Sequence, residues 1–200
     1  MSVRRILPDP NGTFAFNEAN LAFARATIAK YPEGRQASAV VPLLWRAQEQ
    51  NRGWVSEPMV RYIASMLGLS YIRVYEIATF YTMFNLKPVG DHLLQVCTTT
   101  PCWLRGSDHV VAACKKHIAP EPQTVSSDGK LSWMEVECLG ACVNAPVVQV
   151  GADFFEDLDA ASAERLIADL RNGKTPKPGP QIDRLHSAPV GGATTLKEGA

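Results

Sequence analysis

The sequence predicts an α+β fold in two parts, an N-terminal helical bundle followed by a β-α-β-β-β-α domain with a mixed sheet. Three observations predict it. Apolar residues recur at helical spacing as far as about Lys87. From Val89-Gly90 onward, short apolar stretches take over, one of them alternating with charged residues as half-buried strands do. A helical stretch separates the first two of these strands, which implies a right-handed crossover and hence a mixed sheet.

Residues 1–15 read as an N-terminal extension, with Pro8, Pro10 and Asn11-Gly12 marking loop. Residues 16–88 hold the bundle. Asn17 is a good N-cap for a helix carrying Leu21, Phe23, Ala24 and Ile28, which ends before Tyr31-Pro32-Glu33-Gly34. A second helix runs from about Ser38 to Asn51 with Val40, Leu43, Leu44 and Ala47 on one face, and Pro42 near its first turn. Ser56 caps a third helix, with Pro58 in its first turn and Gly68 at its stop. Ser70 caps a fourth, from Tyr71 to about Met83.

Residues 89–172 hold the second domain. Strands are expected from His92 to Val96, Trp133 to Glu137, Val147 to Val150 and Asp153 to Glu156. In the second strand Met134 and Val136 are expected to face inward. Helices are expected from Leu104 to Ile118 and from Asp159 or Ser162 through Leu170. Residues 173–200 begin Gly-Lys-Thr-Pro-Lys-Pro-Gly-Pro and show no periodicity, so they read as an extended C-terminal tail that lies along a partner.

Twenty basic and twenty acidic residues cancel, which argues against a nucleic-acid partner. No apolar run approaches the roughly 20 residues that span a bilayer, so direct membrane insertion is not expected. Met1-Ser2-Val3-Arg4-Arg5 is followed by neither the apolar core of a secretory leader nor a transit-peptide pattern. The expected setting is therefore reducing, and structural disulfides are disfavoured. No G-x-G-x-x-G or Walker A motif is present, and nothing points to a site for NADH, flavin or quinone on this chain.

The chemistry lies in the cysteines. Cys97-x4-Cys102 is followed after 35 residues by Cys138-x3-Cys142. Each pair begins where an expected strand ends, so two loops can face each other at one end of a small sheet and bring four thiolates together. A [2Fe-2S] centre needs such a set. A structural zinc site is the rival, although zinc knuckles more often use two-residue gaps. Spacing puts iron–sulfur ahead without deciding the matter. Small or hydroxylated residues, Thr98, Thr99, Thr100, Gly140 and Ala141, lie between the cysteines and would let backbone N–H groups approach the sulfurs. Cys102 is also expected at the N-terminus of the helix starting near Trp103, where the dipole favours a thiolate. Cys114 belongs to a helical stripe with Leu104, Ser107, Val111 and Ile118 and reads as a small buried hydrophobe.

Four stretches carry a family resemblance: Tyr31-Pro-Glu-Gly-Arg-Gln-Ala-Ser-Ala-Val; Tyr71-Ile-Arg-Val-Tyr-Glu-Ile-Ala-Thr-Phe-Tyr-Thr-Met-Phe-Asn; and the cysteine loops Gln95 to Gly106 and Glu135 to Pro146. Over about Phe16 to Arg171 the chain resembles the thioredoxin-like [2Fe-2S] E subunit of respiratory NADH:quinone oxidoreductase, complex I. The resemblance implies a thioredoxin-like second domain. It implies that Cys97, Cys102, Cys138 and Cys142 bind one [2Fe-2S] cluster of the N1a type as its metal ligands. It implies an electron-transfer subunit of the NADH-dehydrogenase module of a translocase, with no catalytic residue of its own. FMN and NADH would sit on a flavin-bearing partner subunit, with an iron–sulfur subunit nearby. The place implied is peripheral, on the cytoplasmic side of the bacterial inner membrane or, alternatively, the mitochondrial matrix side. Thioredoxin-like folds often carry a cis-proline before the third strand, and Ala145-Pro146 stands there. Alternatives are the equivalent subunit of an NAD-linked hydrogenase or formate dehydrogenase, and a four-cysteine zinc protein without redox activity.

The remaining features read more plainly. His92, His109, His117 and His186 lack metal-ligand spacing. The aromatic stretch Tyr71 to Phe84 reads as core, with part available to a partner. Arg105 divides evenly between offsetting cluster charge and simple solvation. Asp153, Glu156, Asp157 and Asp159 read as a solvated acidic turn.

Overall fold

The computed structural model describes residues 4–192. The first three residues of the expected extension and the last eight of the expected tail lie outside the described residues. The chain divides into two compact units, Met1–Val89 and Gly90–Ala200.

The first unit is helical. α1 (Glu18–Ile28) starts at Asn17, whose side chain accepts from the Asn20 N–H at 2.9 Å. α2 (Val40–Gln50) follows a short 3₁₀ turn, Gln36–Ala39. α3 (Glu57–Leu67) carries Pro58 in its first turn and ends at Gly68, whose left-handed φ of 63° closes the helix. α4 (Tyr71–Phe80) ends three residues before Met83. Val40, Leu43, Leu44, Met59, Val60, Ile63, Val74 and Ala78 form the core, joined by Phe84. The aromatic stretch is only partly core, because Ile72, Phe80 and Tyr81 are exposed. Arg4 ties the extension to the end of α4, donating to the Thr79 and Tyr81 carbonyls at 2.9 Å.

The second unit is a five-stranded mixed sheet with helices. In chain order it runs β1 (His92–Cys97), α5 (Thr100–Leu104), α6 (Ser107–His117), β2 (Leu131–Val136), β3 (Val148–Val150), β4 (Asp153–Glu156), α7 (Ala160–Arg171) and β5 (Gly179–Pro180). The sheet order is β2-β1-β3-β4-β5. β1 and β2 are parallel, β3 runs antiparallel to β1 and β4, and β5 is parallel to β4. Leu94, Val96, Leu131, Trp133, Val148, Val150 and Phe155 pack with α6 and α7 into one core. Asp159 caps α7, accepting from the Ser162 N–H at 2.7 Å. Among the described residues no helix is long and apolar enough to cross a membrane.

Three expectations need correction. The helix expected from Leu104 to Ile118 is two helices, because Gly106 adopts a φ of 92° that ends α5 before α6 begins. Leu104 is therefore exposed and outside the buried stripe, which is Ser107, Val110, Ala113 and Cys114. In β2 the face toward the helices is that of Leu131 and Trp133; on the other face Ser132 is also fully buried and Met134 and Val136 are half-buried; Glu135 and Glu137 are exposed. Trp133 wins that face because its ring fills the helix-covered core and its Nε1–H donates to the Ala119 carbonyl at 2.8 Å. The tail contributes a strand to its own sheet rather than standing free of it. Backbone pairing of Gly179 and Pro180 with Phe155 and Glu156 needs no apolar periodicity, so the sequence pattern carries no sign of it.

Candidate metal centre

Four cysteines reach one end of this sheet. Cys97 is the last residue of β1, and Cys102 follows it within α5. Cys138 lies two residues past β2, and Cys142 opens the 3₁₀ turn Cys142–Asn144 ahead of β3. β1 and β2 are parallel neighbours, with Cys97 opposite Val136. Parallel pairing sends both following loops out of the same end of the sheet, which is how 35 intervening residues bring the two pairs together.

The pairs differ in burial. Cys97 and Cys102 are each 1% exposed and pack with Ala145 and Val147, while Cys138 and Cys142 are exposed. The Sγ atoms of Cys138 and Cys142 are 3.4 Å apart. That is near the edge, about 3.8 Å, of a tetrahedron of sulfurs about 2.3 Å from one metal. Among the described residues no three His, Cys, Asp or Glu side chains close around a single ion position. The thiols group as two pairs, and each thiol interacts electrostatically with at least two of the others.

Backbone and hydroxyl donors point at the sulfurs. Burial acts to raise the Cys97 thiol, but hydrogen bonds from the Thr99 hydroxyl, at 3.3 Å, and from the Thr99 and Leu139 N–H groups bring it below its ordinary value. Burial pushes the Cys102 thiol up to about 12, aided by its bond to Cys97 and opposed by the Val147 N–H. The Gly140 N–H, 3.4 Å from Cys138 Sγ, lowers that thiol, with Cys142 helping. Cys142, as the hydrogen-bonding partner of Cys138, is raised. Gly140 holds its N–H there with a φ of 84°, a conformation glycine adopts without a Cβ penalty.

This donor set fits a two-iron cluster. Two thiol pairs match two metals, and N–H donors directed at sulfur are what such a cluster's charge calls for. Cys102 is the third residue of five-residue α5, in its first turn, rather than the residue before a longer helix starting near Trp103. The Val147 N–H also donates to its sulfur. Cys114 is fully buried in the α6 core and apart from the four, its thiol raised to about 12 by burial. Ala145-Pro146 is cis.

The comparisons with known proteins agree with this geometry. The family model for thioredoxin-like [2Fe-2S] ferredoxins matches residues 24–171. The chain belongs to the thioredoxin-like [2Fe-2S] ferredoxin family. Within that family it is 55% identical over 202 residues to an E subunit of NADH-quinone oxidoreductase from Rhizobium meliloti, covering 98% of this chain and 73% of the relative. It is 54% identical over 159 residues to the E subunit of the same oxidoreductase from Rickettsia bellii, covering 80% of this chain and 95% of the relative. Among solved structures, an NAD+-reducing [NiFe]-hydrogenase in its air-oxidised state aligns with a TM-score of 0.57 at 20% identity. That match covers 66% of this chain but only 23% of the hydrogenase chain, and at this identity it speaks for the fold alone.

Other expected residues are placed as follows. Arg105 is exposed, with its Nε in a long contact of 3.5 Å to the Ala145 carbonyl, a link between the two cysteine loops. His117 pairs with Glu164 at 3.0 Å. The acidic turn is not simply solvated: Asp157 is buried and paired with Arg184, Glu156 accepts from Asn144, and Asp159 caps α7. Asn144 and Arg184 are the residues that sequence patterns do not single out. A lone arginine between Ile182 and Leu185, in a tail otherwise without pattern, is the signal available for one of them.

Proposed function

We propose that this chain is the electron-transfer E subunit of an NADH:quinone oxidoreductase, and that Cys97, Cys102, Cys138 and Cys142 hold its single [2Fe-2S] cluster. One observation carries the reading: two loops leaving the same end of a parallel strand pair deliver four thiols as two pairs, with N–H donors on the sulfurs. When bound, the cluster supplies one-electron storage and transfer. The four cysteines would hold it, with the Gly140, Leu139 and Val147 N–H groups directed at their sulfurs and Cys97 and Cys102 packed against Ala145 and Val147.

The electron donor is FMN on a flavin-bearing neighbour that oxidises NADH, with an iron–sulfur subunit adjoining. Three large apolar side chains next to the ligands support such a neighbour. Trp103, Leu104 and Val143 are 63%, 70% and 71% exposed, within two residues of Cys102 or Cys142. Large apolar side chains left open beside the candidate ligands suit a docking surface. The place is peripheral, on the cytoplasmic face of a bacterial inner membrane.

The related reading is the equivalent subunit of an NAD-linked hydrogenase, with which the chain shares the fold. Identity decides between them: 55% to the oxidoreductase relative against 20% to the hydrogenase chain. The test is metal and labile-sulfide analysis of the purified full chain, with EPR after reduction. Two irons and two sulfides per chain, with a signal of one unpaired electron, are expected. A colourless protein containing zinc overturns the reading.

A further inference from the structure

The tail beyond α7 lies outside the family-model match, which ends at residue 171. It nevertheless makes the most buried ion pair among the described residues of the second unit. Arg184 Nη1 lies 3.1 and 3.3 Å from the two carboxylate oxygens of Asp157, and the side chains are 7% and 3% exposed. Arg184 Nε donates to the Ala188 carbonyl at 3.0 Å, folding the tail around the guanidinium. β5 pairs with β4, and the Gln181 N–H donates to the Glu156 carbonyl at 2.9 Å.

The residues the tail grips lead to the second cysteine loop. The Asp157 N–H donates to the Asn144 carbonyl at 2.7 Å. The buried Asn144 amide donates to Glu156 and, at 3.2 Å, to the carbonyl of His186 in the tail. Asn144 stands two residues after Cys142, in the same 3₁₀ turn. Asp157 and His186 both hold left-handed φ values, 54° and 49°, rare for residues other than glycine and kept only where surroundings enforce them.

We propose that residues 179–188 form a strap that holds the Cys138–Cys142 loop in its ligating shape, with Arg184–Asp157 as its lock and Asn144 as its joint. Arg184 is thus a positioning residue for a metal centre it does not touch. The proposal rests on the cluster assignment above. Cys138 and Cys142 are themselves exposed, and the loop's packing is limited to half-buried Leu139 and Ala141, so a loop without further fixation would release metal through this side. The strap supplies that fixation from a segment outside the family-model match.

The test uses the full chain in two states. In the cluster-free chain, amide hydrogen exchange is followed at Asn144 and Asp157. In the loaded chain, bleaching of the visible absorbance by a chelator is followed in time. Arg184→Ala should speed both by roughly tenfold or more, since it leaves a buried carboxylate unpaired and frees the tail. Arg171→Ala is the control: it breaks the Arg171–Asp128 pair at 2.9 Å and the donation to the His117 carbonyl, elsewhere in the same unit. It should move thermal stability without moving either rate. Should Arg184→Ala fail to fold, Arg184→Lys keeps a cation opposite Asp157 without the Nε–H for Ala188 and should raise both rates by a smaller factor. Unchanged exchange at Asn144 and Asp157, or equal effects from the Arg171 control, overturns the strap. A wild-type chain that takes up no iron overturns the cluster assignment instead, and the exchange measurement still decides whether the strap holds the loop.

Discussion

The two cysteine pairs occupy opposite physical settings at one end of the same sheet. Cys97 and Cys102 sit at the end of β1 and in α5, sealed from solvent by Ala145 and Val147. Cys138 and Cys142 lie in an exposed loop whose fixation comes from elsewhere, through Asn144 and the tail. Burial penalises the thiolate at Cys102, whereas a backbone N–H stabilises it at Cys138. A centre built this way has a rigid inner half made by secondary structure and an adaptable outer half made by hydrogen bonds. The exposed apolar residues flank both pairs, Trp103 and Leu104 beside Cys102 in α5 and Val143 beside Cys142.

The largest effect should come from removing ligands. Cys102→Ser should abolish cluster uptake, because the packed inner site cannot shift to bring a shorter oxygen donor to the metal. Cys142→Ser should retain part of it, since its exposed side leaves room for water to complete the coordination. Iron and sulfide per chain measure both, and equal loss from the two variants would remove the proposed contrast between buried and exposed pairs.

Next comes thiol reactivity in the cluster-free chain. The thiolate is the reacting form, and a shift at Cys102 from the ordinary 9.0 to about 12 lowers its thiolate fraction near neutral pH on the order of a thousandfold. Cys138, shifted down and exposed, should therefore be alkylated first, and Cys102 and Cys114 last. Lowering the pH protonates every thiol, and Cys97 and Cys138, the two held below the ordinary value, should keep their thiolate to lower pH than Cys102, Cys142 and Cys114. Peptide mapping after timed alkylation gives the order, and labelling of Cys102 alongside Cys138 would contradict it.

The smallest effects should be single donors. Gly140→Ala should cost about 1 kcal/mol, because a Cβ there meets open space but the φ of 84° does not suit it. It should also slow Cys138 alkylation as the N–H turns away. Thr99→Ala should slow Cys97 alkylation severalfold, with thermal stability nearly unchanged. If Thr99→Ala altered Cys138 as much as Cys97, the two halves would not be separable.

Much of this is legible in the chain of residues. Asn17, Ser56, Gly68 and Asp159 mark helix ends by local chemistry that depends on neighbours within four positions, and they mark them in the structure too. The element types around the cysteines follow from short-range patterns in the same way. What the patterns miss depends on distant partners. The phase of β2 turns on whether Trp133 or Met134 meets the helices, and alternation alone is symmetrical between the two faces. The break at Gly106 needs a backbone angle that a helical stripe does not reveal. The acidic turn looks solvated in sequence because Arg184 lies 27 residues from Asp157.

The sequence by itself determined the candidate ligands, their spacing and the local elements that carry them, since each is written within a few consecutive residues. Only the tertiary structure decided which pair is buried, which N–H groups face the sulfurs, and that the tail folds back onto the second loop. Those outcomes depend on strand order and on contacts between residues far apart in the chain, and no local pattern encodes a partner at that distance.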